Sequence, residues 1–73
     1  MTDEQLVQAA AELARATSRH EVELPLYEQL LAAAAAQRSE QQRHELARQA
    51  AERAGAISSF ALQLLTTTIF ALA

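Results

Sequence analysis

His44 follows Glu40 by four residues, the spacing that sets an imidazole and a carboxylate on one face of a helix. His20 stands beside Glu21 and two residues before Glu23. These are the only histidines, and each brings one or two carboxylates where a zinc site needs three or four converging ligands. A di-iron site in a helical bundle needs paired Glu-x-x-His motifs with further glutamates, and the chain has none. Ser18, Ser39, Ser58 and Ser59 sit where helix caps or packing account for them, without a base and an orienting acid spaced to activate a nucleophile. No glycine-rich loop is present to cradle a phosphate, and the absence of cysteine removes thiolate chemistry and disulfides together. No cofactor, metal or catalytic residue is therefore expected, and the chain reads as a non-enzyme.

The remaining residues speak for helices. Eighteen of the 73 residues are alanine, against one glycine, one proline and no asparagine. Alanine, leucine, glutamate, glutamine and arginine are the strong helix formers, so the fold class is all-α. Net charge is −3, from nine acids and six arginines, and there is no lysine. Arg38, Arg43, Arg48 and Arg53 recur every five residues, but on a helix that is roughly 500°, so neighbours point about 140° apart and form no basic patch. Nucleic acid is not an expected partner. The N-terminal residues show no positive region followed by an apolar run, so no signal peptide is evident and a cytoplasmic location is expected.

Three hydroxyl residues precede Gln or Glu by three positions: Thr2…Gln5, Ser18…Glu21 and Ser39…Gln42. Each has the form of a capping box. A first helix runs from about Asp3 to the Thr17–Arg19 region, with Leu6, Ala10, Leu13 and Thr17 on one face and Val7 and Ala14 beside them. Leu24-Pro25 breaks the pattern, and Pro25 suits the first turn of a second helix that carries Leu26, Tyr27, Leu30 and Leu31. The polar stretch Gln37–Glu45 is read either as a turn near Arg38-Ser39, which is preferred, or as continuous helix. From there Leu46, Ala50, Ala54, Ile57, Ala61, Leu65, Thr68 and Leu72 recur in phase to the end of the chain. Because the stripe holds its phase across Gly55, a close helix contact there is favoured over a break.

This pattern predicts a single domain over 1–73, folded as a small helical hairpin or a three-helix bundle, with breaks near 18–25 and at 38–39. In the hairpin register Leu26–Leu31 faces Leu46–Ala51, and Leu6–Leu13 faces Leu62–Leu72. A hairpin two helices thick cannot enclose its core, so association with itself or a partner protein is expected to complete it. The nineteen residues Gly55–Ala73 carry no charge. Residues 56–73 read as an apolar packing segment, because Ser59, Gln63 and Thr66 fall on the side away from the stripe. The alternative is a small membrane-associated protein anchored by residues 55–73, which approaches the about 20 residues a span needs. Leu6, Leu13, Leu26, Tyr27, Leu30, Ile57, Phe60, Leu65, Ile69 and Leu72 are the candidate interface residues.

One resemblance adds to this reading. Leu46-Ala47-Arg48-Gln49-Ala50-Ala51-Glu52-Arg53-Ala54-Gly55-Ala56-Ile57 is an alanine-rich helix leading into an apolar end. The plan of a small, acidic, cysteine-free helical chain built this way is similar to the small co-chaperone subunits of bacterial type III secretion needles. That resemblance implies a helical hairpin and a chaperone or assembly role.

Overall fold

The computed structural model describes residues 2–18 and 25–70, apart from the Tyr27 side chain. Four helices fill those residues: α1 (Asp3–Ser18), α2 (Pro25–Ala36), α3 (Glu40–Ala54) and α4 (Ser59–Phe70). The all-α class holds, with four helices in place of the two or three expected.

Local chemistry fixes most of the boundaries. At the start of α1 the Thr2 hydroxyl accepts from Gln5 N at 3.1 Å, and the Gln5 side chain accepts from Thr2 N at 3.0 Å. Ser39 and Gln42 repeat the exchange at α3, at 3.2 Å and 3.0 Å. Each box satisfies two backbone donors that a helix start would otherwise leave bare. Residues 37–39 are thus a turn between α2 and α3. Helix α2 begins at Pro25, where a missing N–H costs nothing. The third proposed box, Ser18…Glu21, and the break over 19–24 lie outside the described residues.

The stripe expected to run unbroken through Gly55 does not. Gly55 ends α3 at φ 75°, ψ −141°, a backbone state open to glycine and strained for other residues. Nothing lies within 4 Å of where a Cβ on Gly55 would sit, so backbone geometry and not a close helix contact accounts for the glycine. Four residues later the chain re-enters a helix. The Ser58 hydroxyl accepts from Ala61 N at 3.1 Å and caps α4, while Ser58 N donates to the Ser18 hydroxyl at 3.2 Å.

The break at Gly55 lets the last helix fold back. Packed pairs are α1 with α3, α3 with α4, α4 with α2 and α2 with α1, and α1 also touches α4 across the diagonal. Helices α2 and α3 occupy opposite corners. The expected register that set Leu26–Leu31 against Leu46–Ala51 is therefore corrected: α2 packs on α4 and α1, and α3 on α1 and α4. Helix α1 does pack against α4, the pairing that the other half of that register implied, although Leu72 lies outside the described residues.

Helix α1 touches all three of the others and buries more than its amphipathic stripe. Ala9 and Ala11 join Leu6, Val7, Ala10, Leu13 and Ala14 inside. The largest enclosed side chains are Leu6, Leu13, Leu31, Leu65, Ile69 and Val7. Each contributes about 1.5–3 kcal/mol of transfer free energy. Buried Thr17 and Thr68 satisfy their hydroxyls on carbonyls one turn back, Leu13 O at 2.9 Å and Leu64 O at 2.8 Å.

Candidate docking face

The four sides of the bundle differ sharply in charge. On the α1–α3 side, Arg53 pairs with Glu4 through its Nη1 and Nη2, the longer bond being 2.8 Å. Arg15 donates to Arg53 O at 3.0 Å, covering a carbonyl that the end of α3 leaves without an intrahelical partner. Along α3, Arg48 bridges Glu45 and Glu52. Hydrogen bonds from Arg48, then from Gln49, pull the Glu45 carboxyl from its ordinary 4.5 down to about 2. The Arg53 guanidinium lowers Glu4 in the same way. On the α1–α2 side, Arg38 donates to Asp3 at 2.6 Å and to Ala34 O at 2.6 Å, joining the end of α2 to the start of α1. The arginines spaced by five go to separate partners and build no patch.

The opposite side, α2 and α4, is almost uncharged. Each of these helices has twelve residues, and Glu28 is the one charged side chain between them. Glu28 is half-buried and lines a groove of about 320 Å³ between the two helices, with Pro25, Gln29, Ala32, Leu64 and Thr67. The α2–α4 side therefore carries this one carboxylate, in the groove that Thr67 also lines. Outward from α2 point Leu26, Leu30 and Ala33, spaced by four and three, and from α4 Phe60, Gln63 and Thr67. Leu26 is 80% exposed, Phe60 66% and Leu30 54%. Three large apolar side chains thus stand in water on two helices that carry one charge between them.

The candidate interface residues divide into three groups. Leu26, Leu30 and Phe60 stand on this outer face. Leu6, Leu13, Leu65 and Ile69 are enclosed by the chain itself, and Ile57 is half-buried against the same core, so these five hold the bundle together and present little or nothing outward. The Tyr27 side chain and Leu72 lie outside the described residues. Leu62, which the expected register turned toward the first helix, is 44% exposed.

A second groove, about 720 Å³ and open to solvent, runs between α3 and α4. Ala47, Ala51 and Leu62 line it, with His44 and Phe70 at one end. The His44 and Phe70 rings lie 4.5 Å apart at 52°, and the Arg43 guanidinium is 5.8 Å from the Phe70 centroid. Arg43 Nε is buried without a hydrogen-bond partner, and among the described residues the Phe70 ring face lies within cation–π reach of this guanidinium. His44 Nε2 is 3.8 Å from Glu40, and both side chains are largely exposed. That pair is an ion pair only when the imidazole is protonated. The signal was hidden because His44 and Phe70 are far apart in sequence. Among the described residues no three His, Asp or Glu side chains converge as metal ligands. Nor is any helix there long and apolar enough to cross a membrane.

Comparison with protein families, with curated proteins and with solved structures finds no match to this chain. The likeness to secretion co-chaperones is thus one of general plan, and the hairpin it implied gives way to four helices.

Proposed function

We propose that the chain is a non-enzymatic helical docking module that works in the cytoplasm and covers its α2–α4 side with another protein surface. One observation supports this above the rest: the bundle segregates its charge. Its ion pairs sit on α1, α3 and the α1–α2 joint, while Leu26, Leu30 and Phe60 stand in water on the side that lacks them. Folding alone does not require that arrangement, since exposed positions on α2 and α4 accept charge without cost to the core. Adaptor, inhibitor or assembly subunit are the roles that use such a face, with apolar anchors at helical spacing entering a partner groove. The alternative, anchoring by residues 55–73, has less support. Helix α4 has twelve residues, about 18 Å at 1.5 Å per residue, against a hydrocarbon core of about 30 Å.

Photo-cross-linking in the producing cell tests the reading. A cross-linker at Leu30 or Phe60 is expected to give discrete protein adducts, and one at Gln8 on the far side none. Equal labelling from all three positions, or adducts with lipid alone, contradicts it.

A further inference from the structure

We infer that the protein surface covering the α2–α4 side brings a cationic side chain, an arginine or a lysine, into the groove beside Glu28. The inference rests on the docking reading above and names what that partner must carry. It starts from how the chain matches its own charges. Arg38 meets Asp3, Arg53 meets Glu4, and Arg48 meets both Glu45 and Glu52. Glu40 stands 3.8 Å from His44, and Glu12 accepts from the Gln8 amide at 3.3 Å. Arg15 is held by Arg53 O, and Arg43 lies over Phe70. Among the described residues, Glu28 is the carboxylate left without a cation or a hydrogen-bond donor.

While the groove is open, water serves this half-buried carboxylate. Covering changes that. An apolar surface laid over α2 and α4 strips the water and leaves a buried charge with no counter-ion, one of the costliest things an interface can enclose. The partner must therefore supply the donor that this chain withholds. The groove, about 320 Å³, suits a long cationic side chain. Pro25, Ala32 and Leu64 form apolar walls for its aliphatic stem, while its head meets Glu28. The side-chain oxygens of Gln29 and Thr67 line the same groove and can accept further hydrogen bonds. The Thr68 hydroxyl already donates to Leu64 O at 2.8 Å. A planar guanidinium has donors to spare for such neighbours, so arginine fits better than lysine. Leu26, Leu30 and Phe60 then give apolar contact, and Glu28 gives the selection.

NMR titration of the full chain with two probes of similar shape tests this: hexylguanidinium, which is charged, and hexylurea, which is not. Hexylguanidinium is expected to shift the amides of Glu28, Gln29 and Thr67 saturably and to bind at least about 5-fold more tightly than hexylurea. In Glu28→Gln that preference should vanish, with helicity by circular dichroism unchanged because the side chain is outside the core. Glu40→Gln, on the α3–α4 groove, should keep the preference. Equal binding of the two probes by the wild type, a preference that survives in Glu28→Gln, or no saturable shift at these residues overturns the inference. The photo-cross-linker at Phe60 separates it from the docking reading. Glu28→Arg is expected to cut the protein adducts at least about 10-fold, since like charges then meet. Undiminished adducts leave the docking reading standing without the cation, and none from the wild type removes both.

Discussion

Gly55→Ala separates the observed fold from the continuous helix that the stripe suggests, because the two predict opposite signs. In an unbroken helix, alanine in place of glycine stabilises by about 1 kcal/mol. In the structure Gly55 sits at φ 75°, ψ −141°, where a residue with a Cβ is strained by about 1–3 kcal/mol. The unfolded chain loses freedom with alanine, which returns about 0.4–1 kcal/mol. The net is a destabilisation of up to about 2.5 kcal/mol. Because nothing lies within 4 Å of the added Cβ, no steric term blurs the comparison. For a domain of this size about 4–8 °C of melting temperature corresponds to each kcal/mol, so a fall of up to roughly 20 °C is expected in thermal melts followed by circular dichroism. A chain synthesised with D-alanine at 55, for which positive φ is natural, should melt at or above the wild type. A rise in melting temperature for the L-alanine variant refutes the break at Gly55 and with it the folded-back α4.

Three further outcomes follow from named contacts. Leu65 is 1% exposed at the centre of the inner face of α4, so Leu65→Ala should cost about 2–5 kcal/mol, and Leu65→Glu should abolish the cooperative melt; a wild-type transition in either variant refutes the core assignment. Ser39→Ala removes the acceptor for Gln42 N and should lower stability in denaturant titrations by about 1 kcal/mol, while Ser39→Gly should cost only a few tenths; equal losses contradict the cap. The Glu45 carboxyl is held down to about 2 from 4.5, so the charged form is favoured in the fold, and its stabilisation is complete above pH 4.5 and disappears as pH falls toward 2. The NMR titration midpoint of Glu45 should lie near 2, moving up toward 4.5 in Arg48→Gln.

Much of this fold was legible because its determinants are local. Thr2…Gln5 and Ser39…Gln42 are capping boxes in the structure as in the sequence, and Pro25 opens a helix as its ring requires. The break at Gly55 was not legible from the stripe. Leu46, Ala50 and Ala54 on α3 and Ala61, Leu65 and Thr68 on α4 are all buried, so their spacing stays in phase although the chain reverses between them. Ser58 lacks the Glu or Gln three residues on that would have announced its cap. The wide burial of α1 was hidden for another reason: Ala9 and Ala11 lie on flanks that become interior only when three neighbours surround one helix. For the candidate face, Leu26, Leu30 and Phe60 were readable as apolar, but periodicity cannot separate an inward leucine from an outward one on helices apolar all round. Charge segregation between the two sides emerges only when α4 packs beside α2.

The most direct test of the docking face uses the absence of native cysteine, which makes a single engineered thiol an unambiguous reporter. Alkylation is timed for Ala33→Cys on the α2–α4 side and for Gln8→Cys on the charged side as protein concentration rises. The thiol at 33 should be protected in the producing cell or as protein concentration rises, while the thiol at 8 reacts at a constant rate. Unchanged alkylation at 33 in both settings, or equal protection at both positions, contradicts a docking face there.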